Sequence, residues 1–408
     1  MERSQQTRRD VLTGSSALIA GGLLAGCTES SGNENTTTDT AMDGQTITGD
    51  DETATTTPSS YEACIEPAGC LTFESVPESW LVYNGAWADM AFALGQRDGF
   101  LAAGNMIPSF FFDPFDLDAP APESFPALAN WDGGGWSKEV FYELDPDVIL
   151  MDPNYMHGTG WDDDWEQADT EEISENVAPF FGNNCRRRRE FHDYKLYSLY
   201  GAFERLADLF QERERYGAIV EVHESVRTDI QSRLPAESER PTVGLINGGS
   251  DPANGVFYPL NTQDEGYEMK PYRDLDVASA FPDSMEGGEI DYEKLLEVDP
   301  EILVVHWGIG TTGDTDSFSA SAFREQYVTP MADDPVGSQL TAVQNGNVYP
   351  GAYGEQGPLV NLLQTEMKAQ QLYPDEFGVF DPEQFPSVPA QNRLFDRRRV
   401  IDIIDGNL

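Results

Sequence analysis

Positive charge is what this sequence has least of. Against 72 Asp and Glu stand 25 Lys and Arg, only five of them Lys, and the net charge is −47. A surface of that sign repels phosphate backbones, which excludes DNA and RNA as partners. Cysteine and histidine are scarcer still, at four residues each. No Cys-x-x-Cys spacing occurs, so a cysteine zinc site is not expected. There is no Gly-x-Ser-x-Gly, no His-Glu-x-x-His and no nucleophile placed beside a His, which removes the readable signs of an exported hydrolase. No catalytic residue and no cofactor is assigned. A comfortable transmembrane run is also missing, because the uncharged stretch from Val11 to Gly26 is short and rich in Gly and Ala.

What is present is enough chain, 408 residues with 39% apolar side chains, for two cores. The acid is interleaved with aromatics and aliphatics throughout, as in a folded body with an acidic shell. High acid with few Lys resembles proteins of salt-loving archaea, where salt screens the self-repulsion of the compact state. Arg8-Arg9 ahead of a short apolar run reads as a twin-arginine export signal over residues 1–27. That run ends in Leu24-Ala25-Gly26-Cys27, which resembles the lipobox of surface lipoproteins and implies a lipid on the Cys27 sulfur, holding the protein at the outer face of the membrane. Residues 28–70 are expected to be a disordered tether of Thr, Ser and acid, with one glycosylation acceptor at Asn35. Cys64 and Cys70 are close enough to pair, which leaves Cys185 free.

A repeated block sets the architecture. Lys138 to Leu150 and Tyr292 to Val304 each read as a helix with Glu near its start, an Asp-Pro turn and a short apolar strand. Strands apolar on both faces belong in parallel sheets covered by helices. The fold expected is α/β, two Rossmann-like lobes with a ligand cleft between them, the N-terminal lobe over 71–211 and the C-terminal lobe over 237–408. Trp80-Leu81-Val82-Tyr83, Phe100 to Ala103, Val177 to Phe181, Thr242 to Asn247 and Asn347 to Pro350 read as further strands, and Trp87 to Leu94 as a helix ended by Gly95. Leu196 to Phe210 and Tyr216 to Leu234 carry apolar stripes spaced by three and four. The second predicts a single long linking helix over 212–236, about 30 Å of stiff spine.

Ala93-Leu94-Gly95, Leu144-Asp145-Pro146-Asp147-Val148-Ile149-Leu150, Val298-Asp299-Pro300-Glu301-Ile302-Leu303-Val304, the run from Leu340 to Tyr349 and Leu372-Tyr373-Pro374-Asp375-Glu376-Phe377 recur in a telling order. In that order, behind a lipobox, they resemble the helical-backbone binding proteins that serve ABC importers of ferric siderophores, haem and vitamin B12. The resemblance spans about Leu71 to Tyr373 and departs from the pattern in long insertions at Pro108 to Asp132 and Gly158 to Glu172. It implies a carrier and not an enzyme, a monomer that hands a ligand, here a ferric siderophore, to a permease and its ATPase. It also implies one permease-docking Glu per lobe, which falls on Glu139 and Glu293, seven residues before each motif Pro.

Ligands of open parallel sheets bind beyond the carboxyl ends of the strands. The loops there hold Tyr83, Trp87, Tyr155, His157, His306, Trp307 and Tyr353. Arg186-Arg187-Arg188-Arg189 reverses the local charge, and arginine forks hold carboxylate or catecholate oxygens, which favours an anionic iron chelate or haem over neutral cobalamin. A zinc or manganese cage needs three or four ligands, of which His157 and His306 supply two, while His192 and His223 sit in helical segments and look structural. Gly308 to Gly313 matches Gly-x-Gly-x-x-Gly, but Asp314-Thr315-Asp316-Ser317 is a poor helix interior, so a flexible loop is expected. Asp162-Asp163-Asp164 lacks calcium-loop spacing and reads as a solvated run.

Overall fold

The computed structural model describes residues 60–130, 135–312, 317–351 and 353–408. The export signal, Cys27, Asn35 and the first part of the expected tether lie outside the described residues. The tether's other end needs correcting. Tyr61–Ile65 and Gly69–Phe73 form an antiparallel hairpin with Cys64 facing Cys70 in register and disulfide-bonded to it. The hairpin packs on the helix Leu199–Phe210, and Tyr61 Oη donates to Leu209 O at 2.5 Å. Ala63, Ile65 and Phe73 are buried, so this segment has apolar surface to cover and is ordered.

Each lobe is built on a parallel sheet. In lobe one the order is Phe100–Asn105, Trp80–Asn84, Val148–Leu150, with Phe180 bridging Ile149 beyond. The strand expected over Val177 to Phe181 shrinks to that single bridge, because Pro179 offers no N–H to continue a ladder. In lobe two Val348–Pro350, Ile302–His306 and Val243–Asn247 are parallel, Pro259–Leu260 adds an antiparallel edge, and Ser279 bridges Val243. The first strand thus lies beside the strand of the repeated block in both lobes. Every residue of Trp80–Asn84 and Ile302–His306 is buried, as sheets covered on both faces require.

The repeat extends to side chains. The helices Lys138–Leu144 and Tyr292–Val298 end on Asp145 (φ 43°) and Asp299 (φ 44°), left-handed positions that Asp tolerates. After each motif Pro, a carboxylate satisfies backbone leading into the lobe's first strand. Asp147 Oδ2 accepts from Glu78 N and Ser79 N at 2.8 and 2.9 Å, and Glu301 Oε2 accepts from Thr242 N at 2.8 Å.

The linking helix Arg213–Arg233 has 21 residues, about 31 Å at 1.5 Å per residue, and buries Ile219, His223, Val226 and Ile230 on one stripe. It is not the only element shared by the lobes. The helix Pro358–Leu372 is buried along its whole length and packs against Gly85–Ala93, Leu199–Phe210, the linking helix and Lys270–Asp274. Its N-terminus rests on Asp89 of lobe one, a fully buried carboxylate that accepts from Leu359 N at 3.1 Å and Val360 N at 3.0 Å. The last helix, Arg397–Ile404, packs on the linking helix, on Gly85–Ala93 and on Asp113–Phe115, so the end of the chain belongs with lobe one and not, as expected, with a C-terminal lobe running to 408.

The insertion Pro108 to Asp132 fills core with Phe110, Phe111, Phe112 and Phe115. Asp163 and Asp164 are exposed, as a solvated run requires, while Asp162 is half-buried and its Oδ2 accepts from Trp136 N at 2.8 Å. Gly308–Thr312 is a turn of helix instead of a flexible loop, held where Thr312 Oγ1 donates to Gly308 O at 2.6 Å.

Candidate functional site

A cavity of about 470 Å³ opens where the chain leaving lobe one meets the strand tips of lobe two. That size lies within the ~300–1,000 Å³ usual for small-molecule sites. Lobe one contributes Arg186 to Arg189; lobe two contributes Asn247 and His306 from strand ends, Leu260 and Met269 as apolar floor, and Asp264, Glu265, Glu268 and Glu286.

Backbone pairing fixes the two sides. Tyr267 N donates to Cys185 O at 3.0 Å and Glu268 N to Arg186 O at 3.3 Å. Gly266 makes the approach feasible, with φ at 95° and any Cβ falling 2.1 Å from Arg186 O. Below the seam lies a buried ion cluster. Arg186 bonds Glu268 at 2.6 Å and Glu355 at 3.1 Å, and its guanidinium lies 4.8 Å from the Trp307 ring centre. Tyr267 Oη donates to Glu355 Oε2, and His306 Nε2 lies 2.9 Å from Glu268 Oε1. Burial alone pushes the Glu268 carboxyl up, but Arg186 and His306 overcome it and hold it well below the usual carboxylate range. Burial lowers the His306 pKa against the pull of Glu268, which favours the neutral ring. In that ring, with Nε2–H donating to Glu268, Nδ1 is an acceptor, and among the described residues it has no partner although His306 is 2% exposed.

The other arginines differ. Arg188 pairs with Glu265 at 3.0 Å on the surface. Arg187 is 40% exposed at its side chain and reaches Glu268 only at 3.9 Å. Among the described residues no carboxylate lies within ion-pair distance of Arg189, whose pKa burial, Arg187 and Arg186 push down. Its backbone turn is fixed by His192, whose Nδ1 accepts from Arg189 N at 2.7 Å.

Of the residues expected at the site, the arginines and His306 line the cavity. Trp307, at a strained φ of 68°, lies beside Arg186, and Tyr353 meets Trp307 edge-on with ring centres 4.6 Å apart. The Tyr353 hydroxyl, 3.0 Å from Asn105 Oδ1 and 3.2 Å from Met106 O, ties lobe two to lobe one. Tyr83, Trp87 and Tyr155 are buried and do not line the cavity. Tyr83 and Tyr155, 4.8 Å apart, join Trp136 and Trp161 in an aromatic cluster over the lobe-one strand tips, and burial pushes the Tyr83 hydroxyl up to about 12. His157 lies instead against Thr170 Oγ1 at 3.4 Å. His306 and His157 therefore share no metal site, and among the described residues no three His, Cys, Asp or Glu side chains are grouped to hold an ion. His223, as expected, is structural: it packs on Tyr200 and is 2.9 Å from Lys270 Nζ. Glu139 and Glu293 are exposed at matching second positions of the repeated helices. The acidic half of the site, Asp264, Glu268, Glu286 and Glu355, was not anticipated; nothing local marks these among 72 acidic residues.

The periplasmic binding protein family model matches residues 133–351, from just before the first copy of the repeat to the last strand of lobe two. No curated protein matches. A periplasmic binding protein from Veillonella parvula is similar in structure, with a TM-score of 0.53 at 14% identity over 76% of this chain and 97% of that one. The iron uptake ABC transporter substrate-binding protein PiuA from Streptococcus pneumoniae is similar at a TM-score of 0.52 and 16% identity over 77% and 99%. Helicobacter pylori CeuE with Ni(II) bound follows at 0.50 and 12% over 78% and 90%. Two parallel-sheet lobes, a helical spine and a cleft at the strand tips agree with the family match: the chain belongs to the periplasmic binding protein family, whose members carry solutes and are not enzymes.

Proposed function

We propose that this protein is the extracellular solute-binding subunit of an ABC importer and that its solute is an anionic iron chelate of the ferric siderophore class. The observation that carries this is the pair Arg187 and Arg189 on the wall of the cavity: among the described residues Arg189 has no carboxylate within ion-pair distance, and Arg187 has only Glu268 at 3.9 Å. Arginine forks bind catecholate and carboxylate oxygens in pairs. The iron uptake named for PiuA and the motifs in the sequence support the same class. Neutral cobalamin leaves both cations unanswered, and bare zinc or manganese meets like charge; haem, with its carboxylates, is the alternative closest in chemistry.

Titrating the purified protein with ferric tris-catecholate, ferric citrate, haem, cobalamin and zinc, read by tryptophan fluorescence, tests the proposal. A ferric complex is expected to bind at micromolar Kd or tighter; binding of cobalamin or zinc alone would overturn it.

In the cell the chain is exported by the twin-arginine route and held by a lipid on Cys27. It acts as a monomer in high salt and docks on the permease through Glu139 and Glu293 before the ATPase drives transport. Cells carrying Cys27→Ser should shed the protein into the medium. Cells carrying Glu139→Arg with Glu293→Arg should keep ligand binding and lose uptake. Retention at the membrane removes the lipid, and undiminished uptake removes the docking role.

A further inference from the structure

The proposed function uses one wall of the cavity and leaves the other without a role. On that other wall, in lobe two, stand Asp264, Glu265 and Glu286. Glu265 is answered by Arg188, just as Glu268 and Glu355 are answered by Arg186. What remains after these pairs, apart from the 3.9 Å contact of Arg187 with Glu268, is two cations facing from lobe one and two carboxyls facing from lobe two. Asp264 and Glu286 line the same wall of the cavity, where two carboxyls side by side favour a cation between them. Burial, Glu286 and Glu268 push the Asp264 carboxyl up to about 7, against a smaller pull from Arg187. Among the described residues no Lys or Arg lies within ion-pair distance of either carboxyl.

A second observation is independent of these acids. His306 Nδ1 is an acceptor without a donor on a side chain that is 2% exposed and lines the same cavity. Buried acceptors are satisfied in the working state of a protein, so a hydrogen-bond donor is missing from this side of the site. Acceptors and acid on one wall, donors and cations on the other, define a ligand with polarity of its own.

We infer that the solute carries charge of both signs, with anionic oxygens set against Arg187 and Arg189 and a protonated amine set against Asp264 and Glu286, within reach of donating to His306 as well. Resting on the iron-chelate reading, this narrows the class to ferric chelates that bear a free amine. Such an amine gives the two carboxyls a counter-charge, so each charge in the cavity gains a partner. It also sets selectivity, since a chelate of equal size without the amine leaves the acidic pair facing its anionic oxygens.

The test compares two probes: a synthetic ferric tris-catecholate with a pendant primary amine, and the same complex with that amine acetylated. Wild-type protein should bind the first about tenfold more tightly or better. Asp264→Asn with Glu286→Gln, near-isosteric changes, should bind both alike, at the affinity wild type shows for the acetylated complex. Equal binding by wild type overturns the inference and leaves the iron-chelate reading standing. A preference that survives in the double variant overturns the assignment to these carboxyls. If neither ferric complex binds, both readings fall. The wild-type comparison decides even where the variant does not fold.

Discussion

The strand tips of the two lobes are built on the same backbone and hold their buried acid in opposite ways. At the lobe-one tip, Asp152 follows the strand Val148–Leu150 and accepts only from neutral donors: Tyr194 Oη at 2.6 Å, Asn184 N at 2.8 Å and Asn154 N at 2.9 Å. Aromatic rings close that tip. At the lobe-two tip, Glu268 accepts from a guanidinium and an imidazole, and the tip opens on the cavity. Burial wins at Asp152 and pushes its carboxyl up to about 6; Arg186 wins at Glu268 and holds it down. A duplicated fold therefore does not duplicate chemistry. The repeat fixes where strands end, and the partner supplied from outside each repeat decides whether the buried acid is charged.

Removing that partner should give the largest effect. Arg186→Met leaves Glu355 buried without a cation and Glu268 with only Arg187 at 3.9 Å, which costs about 3–5 kcal/mol of unfolding free energy. Arg187→Gln with Arg189→Gln, on the half-exposed wall, should stay within about 0.5 kcal/mol of wild type. Denaturant unfolding in about 0.1 M and about 2 M KCl sharpens the contrast. Salt should stabilise all three proteins by screening the net charge of −47, while the Arg186→Met deficit stays the same because the cluster is beyond the reach of counterions. Equal deficits for the two variants would erase the distinction between a locked floor and an available wall.

The parts of this molecule that are local in sequence are legible there. The helix, Asp-Pro turn and strand of each repeat lie within thirteen consecutive residues, and periodicity marks the linking helix within two residues of its observed start. The arginine run is visible because it breaks the sign of its surroundings. What pairs with it is not. Arg186 meets Glu268 and Glu355 across 82 and 169 residues, and no spacing rule reaches that far. Tyr83, Trp87 and Tyr155 carry the residue types of a ligand pocket at strand tips of the right kind, but apolar burial claims aromatic side chains as readily as a ligand does. The closing helix Arg397–Ile404 returns to lobe one through contacts that only the folded chain makes.

The smallest expected effect lies at the quiet tip and is read as a slope. Asp152 has a raised carboxyl in the folded protein, about 6 against 3.8 for the free group. Between those values the native state holds a proton that the unfolded chain has released. Stability from this group is present below about pH 4 and is lost as the pH rises through about 6, by on the order of 2–3 kcal/mol. Asn at this position cannot take up the proton. Asp152→Asn also loses acceptor capacity for its three donors and so should be less stable than wild type at every pH. That deficit should be greatest at about pH 4 and below and shrink toward pH 7, as wild type gives up what its proton contributed. Chemical denaturation at several pH values measures it directly. A deficit that grows with pH would mean that Asp152 is held ionised as Glu268 is, with a cation at the lobe-one tip doing there what Arg186 does in lobe two.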